Sequence, residues 1–463
     1  MAIPNQSRPI CWKLSPFRLS ESETKTLRIL WLKTELLHPV DKGGKIRTYQ
    51  MLKELKRDHQ ITYLALDDGA DTQARSLAQE YCHELICVPH QPREKFTPGF
   101  YADLGLNLVS ALPYAIAKYR SEEMRRRIEQ LTNAGSFDVV VCDFLAPAIN
   151  VPRNLKCRSI LFQHNVEAQI WKRHFQTQAN PIKKTYLYWQ WRKMLAFEAD
   201  ECHRFDRVVA VSAEDRELMQ HEYGVASVAD VPTGVDIDYF RPQQAAGPQQ
   251  HNLVFTGSMD WLPNQDAIEY FTAEIMPLIK QRVPDVTLTV VGRNPYPALI
   301  ELSKRDSAVI VTGRVDDVRP YMERASVYVV PLRIGGGTRL KIFEAMAMER
   351  PLVSTTIGAE GLPLTNEVEL LVADTPETFA AAVVRVLSDE TLRTTLAQQA
   401  AKLVRTQFGW NRVADRFIES CLESVPASES DNHENTLYAG PPRTHSQKQF
   451  KTDRGAALLG GHD

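Results

Sequence analysis

From Leu27 onward, short apolar runs alternate with longer stretches in which apolar residues recur at helical spacing. LRILWL, ITYLAL, ELICVP, DVVVCDF, SILFQHN and DRVVAVS have strand length, and each leaves through a turn toward a helical stretch. Their apolar character is continuous rather than alternating, so both faces are buried, which predicts a parallel sheet with helices on each side. A second series, NLVFTGS, LTVVGR, AVIVTGR, VYVVPL and PLVST, repeats the pattern. The expected fold is α/β, with two facing Rossmann-like, doubly wound domains and a cleft between them.

The same pattern sets the expected boundaries. Residues 1–26 read as a tail and 27–232 as the first domain. At 233–250 the alternation gives way to Pro, Gly and Gln, as in an interdomain linker. The second domain fills 251–405. Trp410, Val413, Phe417, Ile418 and Cys421 share one face of a helix in 406–425, which should dock. Residues 426–463 are too poor in apolar side chains to offset their ordering entropy and are expected to be disordered.

With 43% hydrophobic and 24% charged residues in 463, the chain can bury two cores. A net charge of −2 gives no chain-wide attraction to nucleic acid. Seven scattered cysteines without a CxxC pair suit reduced thiols in the cytoplasm. No apolar run is long enough to span a bilayer, and the first residues lack a secretory core. One local exception stands out. Residues 151–193 hold nine Lys or Arg against one acid, Glu167, interleaved with Trp171, Phe175, Tyr186, Tyr188, Trp189 and Trp191. Either this stretch meets anionic lipid, placing the protein peripherally at the inner face of the membrane, or the rings pack inward beneath solvated cations.

The densest chemical signal is PLRIGGGTRLKIFEAMAMERPLVSTTIGAEGLP. Gly335, Gly336 and Gly337 allow close backbone approach, Thr338 can cap the following helix, and Arg339 and Lys341 load its first turn with positive charge. A basic first turn opposes the helix dipole unless an anion sits there, so a phosphate is the expected ligand. Glu344 lies deeper in the helix, where its carboxylate can accept both hydrogen bonds of a ribose diol. A plain surface loop with a basic helix start is the alternative.

GTRLKIFEAMAMERPLVSTTIGAEGL resembles the donor segment of the retaining glycosyltransferases of family 4, which have the GT-B architecture. VFTGSMDWLPNQDAIEYF, LTVVGRNP, VTGRVDDVRPYMERASVYVVPLR, VVAVSAEDRELM and VPTGVDIDYFRP follow the family's order, so the resemblance covers roughly residues 27–424. It implies that the second domain binds a nucleotide-diphosphate sugar, with Glu344 on the ribose and Gly257 and Ser258 lining the diphosphate pocket. Two departures are visible. The family commonly has Glu where Gly336 stands and Arg where Ser258 stands, which leaves Arg339, Lys341 and Arg293 to offset diphosphate charge.

In the first half, Gly43 and Gly44 lie between a strand and a helix that opens with Lys45 and Arg47. The resemblance makes this the loop that meets the donor from the other domain; an ordinary strand-helix turn is the alternative. His164 ends the SILFQHN strand with Asn165 as a good cap for the next helix; it is expected either to hydrogen-bond the sugar or the acceptor hydroxyl, as a side chain that exchanges protons near neutral pH, or to serve with HNVE as a structural cap. Asp143 and Asn165 are candidate acceptor-side groups. The implied activity is transfer of a sugar, with retention, to a glycan or lipid-linked acceptor in polysaccharide assembly. No cofactor, metal or nucleic acid is expected, and the domains should close about the linker. Rival readings are a GT-B epimerase or hydrolase, suggested by the shared architecture, and a non-catalytic sugar-nucleotide-binding protein, suggested by Gly336.

Overall fold

The computed structural model describes residues 26–423 apart from Lys95, Ala179, 244–247 and 335–339. The expected tails at 1–26 and 426–463 therefore fall almost wholly outside the described residues, as does the glycine triplet.

Two parallel sheets carry the fold. The first contains β1 (Arg28–Lys33), β2 (Gln60–Asp67), β3 (Glu84–Pro89), β4 (Val139–Asp143), β5 (Arg158–Phe162), β6 (Arg207–Ala210) and β7 (Val228–Asp230), in the order β3-β2-β1-β4-β5-β6-β7. The second contains β8 (Asn252–Thr256), β9 (Thr287–Val291), β10 (Val309–Gly313), β11 (Val327–Val330), β12 (Leu352–Ser354) and β13 (Leu371–Val372), in the order β10-β9-β8-β11-β12-β13. Each apolar run read from the sequence lies in one of these strands. The short β7 and β13, with three and two residues, were not anticipated.

Strand β1 lies between β2 and β4, and β8 between β9 and β11. The winding reverses direction at these two places. Loops leaving the carboxyl ends of adjoining strands diverge there, opening the crevice in which doubly wound sheets hold ligands.

Trp31 and Phe162 face one side of the first sheet, and the Trp410–Leu422 helix covers them. Trp410, Val413, Phe417 and Cys421 are buried among first-domain residues, with Ile418 partly so. Phe417 lies 5.6 Å from Trp31 and 5.0 Å from Phe162, centroid to centroid. The chain thus crosses between domains twice. Val235 N–H donates to Phe408 O at 2.8 Å, so the outgoing and returning segments run side by side. A Cβ on Gly234 would stand 2.6 Å from the Trp410 ring. The six described cysteines, Cys82, Cys87, Cys142, Cys157, Cys202 and Cys421, are free thiols. Among the described residues no helix is long and apolar enough to cross a membrane.

The docked helix gives a stability test. Phe417→Ala should cost about 3–5 kcal/mol in urea denaturation, as for a fully buried aromatic. The loss should appear in the transition reported by Trp31. A change below about 1 kcal/mol would mean that the helix is peripheral to the first domain.

Candidate functional site

Beside the reversal point of the second sheet two backbones come unusually close. A Cβ on Gly292, just past β9, would lie 1.8 Å from Gly257 O, so no side chain fits there. Gly257 follows β8, and a Cβ on it would stand 2.8 Å from Lys341 Nζ and 2.7 Å from Asn264 Nδ2. Glycine at 257 therefore lets an ammonium group rest against the main chain. Lys341 Nζ donates to Asn264 Oδ1 at 3.0 Å and lies 4.0 Å from the Phe255 ring centroid. Asn264 Nδ2 in turn donates to Ser258 O at 2.8 Å. Asn264, which sequence reasoning passed over, is thus the buried brace that joins the lysine to the β8 loop. Its signal was a polar residue in the first turn of the Leu262–Tyr270 helix, directly after Pro263.

Lys341 and Glu344 belong to the Leu340–Ala347 helix. Burial pushes the Glu344 carboxyl up to about 7, against the opposing pull of Lys341. It is a group poised between neutral acid and carboxylate. Gly335, Gly336, Gly337, Thr338 and Arg339 lie outside the described residues. Arg293 Nε donates to Ser258 Oγ at 2.8 Å, and Ser258 Oγ donates to Asp260 Oδ1 at 2.5 Å. The position that lacks its own arginine thus holds one supplied from the end of β9, with its side chain half exposed.

In the first domain the Gly43–Asp58 helix begins at the glycine pair. Space around Gly43 is open, whereas a Cβ on Gly44 would stand 2.7 Å from the Phe144 ring. Lys45 pairs with Glu35 at 3.4 Å, and Arg47 donates to Thr233, in the crossover segment. The two cations at this helix start are thus engaged within the protein.

Asp143 is not an exposed acceptor-side group. Fully buried at the end of β4, its Oδ2 accepts from Trp31 Nε1 (2.9 Å), Lys33 Nζ (2.8 Å) and Thr48 Oγ1 (2.7 Å). Burial alone would raise its pKa, but Lys33 and His164 hold it well below the usual carboxylate range. His164 Nε2 lies 2.7 Å from Asp143 Oδ1, and the imidazole stacks on Phe144 at 3.9 Å. Burial lowers the His164 pKa to about 3, outweighing the pull of Asp143. The lowered value favours the neutral ring. Phe144 adopts a left-handed backbone (φ 72°), a costly conformation for an aromatic residue, and so lies over the histidine.

Asn165 does not cap the next helix. The first amides of Glu167–Thr177, those of Glu167 and Ala168, donate to the buried Glu198 carboxylate at 2.8 Å each. Tyr223 Oη and Gln163 Nε2 complete its partners. The Glu198 carboxyl of the Pro181–Arg204 helix, its pKa pushed up to about 7 by burial, stands where an asparagine cap was expected.

Beside this site, at the carboxyl ends of β2 and β3, lies an open groove of about 630 Å³ lined by Asp67, Asp68, Arg75, His90 and Gln91. A second, of about 400 Å³, continues from His90 past Arg93, Asp103, Tyr114 and Lys118. Both sit on the edge of the sheet that carries Gly43 and Gly44.

Comparison with known proteins agrees with this arrangement. Residues 42–239 match the profile described as Glycosyltransferase Family 4, and residues 250–389 match Glycosyl transferases group 1. A 44.6 kDa protein of the cps region of Klebsiella pneumoniae is 21% identical over 371 residues, which are 77% of this chain and 90% of that one. Phosphatidyl-myo-inositol mannosyltransferase of Mycobacterium tuberculosis is 30% identical over 232 residues, 48% of this chain and 60% of the relative. The GDP-mannose-dependent phosphatidylinositol monomannoside mannosyltransferase of the same organism is 25% identical over 46% of this chain and 61% of its own length. The chain thus spans about three fifths of these two mycobacterial relatives. Among solved structures, a glycosyltransferase from Rickettsia africae superposes with a TM-score of 0.60 at 15% identity, covering 87% of this chain and all of the other. Anabaena HepE, determined with UDP and glucose, gives 0.56 at 14% identity over 85% and 99% of the two chains. Taken with two doubly wound sheets and the Gly257–Lys341–Glu344 arrangement, these matches place the chain in the group 1 glycosyltransferases of family 4, with the two Rossmann-like domains of the GT-B fold.

Proposed function

We propose that the protein is a retaining glycosyltransferase that moves a sugar from a nucleoside diphosphate to a hydroxyl of a glycan or lipid-linked acceptor, in polysaccharide or glycolipid assembly. The observation that carries this reading is Lys341 seated on the Gly257 backbone, with Glu344 on the same helix and Arg293 at the neighbouring strand end. A diphosphate laid across the β8 and β11 loops meets two cations, and Glu344 takes the ribose hydroxyls. In the reaction the bond from the anomeric carbon to the diphosphate oxygen breaks, and its electron pair leaves with the nucleotide. Lys341 and Arg293 are most favourable as that charge develops, which is where binding energy becomes rate. The acceptor oxygen bonds to the anomeric carbon from the same face. The departing phosphate oxygen takes its proton, which balances the step, and burial weakens His164 as a competing base. The groove from Asp67 to Lys118 offers the carboxylates, amide and aromatic ring that suit a hydroxyl-rich acceptor.

Lys341→Met should lower kcat by roughly 100- to 1,000-fold with a sugar donor, the scale for losing one charge-stabilising donor. EDTA should leave the parent enzyme's turnover unchanged. Sugar appearing on an acceptor supports transfer; an epimer or free sugar alone, or nucleotide binding without turnover, overturns it. The relatives' names include GDP-mannose and a UDP complex, so UDP and GDP sugars are the first donors to assay.

Glu344 supplies a pH test. Its folded-state pKa is raised, so between the ordinary glutamate value and about 7 the folded chain keeps a proton that the unfolded chain releases. Stability without ligand therefore falls as pH rises through this window. Glu344→Gln should melt higher than the parent at pH 8, by roughly 1–3 kcal/mol, with the gap closing toward pH 5. Nucleotide-induced stabilisation should grow as pH climbs through 7 in the parent and be lost in the variant. Equal nucleotide shifts in both proteins would remove Glu344 from the ribose.

A further inference from the structure

The basic, aromatic stretch 151–193 does not expose its rings as a block. Phe175 stacks on Trp191 at 5.8 Å, and Tyr188 lies 5.5 Å from Phe175 and 5.8 Å from Trp191. Lys172 and Lys184 lie over the Trp191 and Phe175 faces. These rings brace the Glu167–Thr177 and Pro181–Arg204 helices against each other rather than facing outward together.

The exposed apolar surface comes from elsewhere. Among the described residues, eight of the seventeen exposed large hydrophobics fall within 96–109 and 182–189. Val109 is 90% exposed, Ile182 81% and Leu106 71%, with Leu108 and Trp189 more than half exposed. Such clustering marks an interaction surface, whereas single exposed apolar side chains are ordinary. The two segments are joined by polar bonds. Lys193 Nζ donates to Asn107 O at 2.6 Å and Leu108 O at 3.3 Å, and Gln190 Nε2 donates to Asn107 Oδ1 at 2.9 Å. Gln190 Oε1 also accepts from Tyr114 N–H at 2.8 Å. The long helix thus fixes the turn after the Pro98–Asn107 helix while Leu108 and Val109 stand in solvent. Ile182 and Trp189, seven residues apart on that helix, lie on one side of it, about two turns from end to end.

Charge identifies the occupant. Residues 167–193 hold six Lys or Arg against Glu167 alone, and Arg173, Lys183 and Arg192 are exposed. A second copy of the chain would set this cationic band against itself, but an anionic surface would neutralise it. We propose that Leu106, Leu108, Val109, Ile182 and Trp189 insert into the headgroup layer of a bilayer containing anionic lipid, with Arg173, Lys183 and Arg192 held at the phosphates. The second groove, with Leu106 among its lining residues, then opens beside the lipid surface. This deepens the reading of a lipid-linked acceptor, yet binding to lipid can be measured without donor or acceptor.

The test is co-sedimentation of the full chain with phosphatidylcholine vesicles, with and without 30 mol% phosphatidylglycerol, a probe composition of about one anionic lipid in three. The parent should partition only onto the anionic vesicles, with a blue shift of Trp189 emission, and release as salt rises. Leu108→Asp/Val109→Asp should lower the partition coefficient at least about tenfold. Lys183→Glu/Arg192→Glu should do the same and flatten the salt dependence. The two pairs lie on different segments, so an unfolded variant of one leaves the other decisive. Parent protein that stays in the supernatant, or variants that bind like the parent, overturn the proposal whatever the transfer assay gives. So does a parent dimer that Leu108→Asp/Val109→Asp converts to monomer with vesicle binding unchanged.

Discussion

Parallel strands joined through helices wind in one hand, so a sheet that grows outward both ways from its middle must reverse its direction of travel once. That single reversal organises this protein twice. In the first sheet it falls between β1 and β4, and it places Gly43, Gly44, Phe144 and, one strand on, His164 at one edge. In the second it falls between β8 and β11 and gathers Gly257, Ser258 and the helix bearing Lys341 and Glu344. No local preference of those residues would bring them together; chain topology does, and side chains then refine the result. The Gly292 and Gly257 backbones can touch only because neither carries a β-carbon.

The first domain invests in buried polarity where the second leaves charge accessible. Lys33, Asp143, Thr48 and Trp31 form a cluster hydrogen-bonded through Asp143 Oδ2 beneath Phe144, and removing one member would strand the others in a low-dielectric core. Such a cluster contributes little net stability compared with apolar packing, but it holds β1, β4 and the Gly43–Asp58 helix in one register. His164 sits against this platform with its ring plane fixed by Phe144. Lys341 touches the Asn264 amide and the Phe255 ring face beside the end of β8.

The long apolar strands were legible because continuous β-branched and aromatic runs have few other solutions. β7 and β13 were not, since two or three residues carry no period. The positions of Lys341, Glu344 and Gly257 could be anticipated from spacing and resemblance. Arg293 was anticipated as a cation but not its bond to Ser258, and Asn264 required the fold, because their partners come from other segments. Asp143 and Asn165 show the opposite failure. A polar residue at a strand end looks like a ligand group from sequence, yet here one is sealed by Lys33 and the other is superseded by Glu198, thirty-three residues further on. Local spacing does not register a carboxylate delivered by a remote helix. The basic stretch was legible in charge, with inward-packing rings as one of its two readings, but the exposed apolar residues of 96–109 that lie beside Ile182 and Trp189 were not, because that segment has no charge run to draw the eye.

The Trp410–Leu422 helix, lodged on the sheet that begins at Arg28, has a consequence for synthesis. A growing polypeptide leaving the ribosome presents Trp31 and Phe162 long before the aromatic side chains that cover them have been translated. The amino-terminal lobe must wait, with an uncovered oily face, until the entire second domain has emerged. Chaperone occupancy on nascent chains should therefore persist through translation of the second half and end only when this last segment clears the exit tunnel.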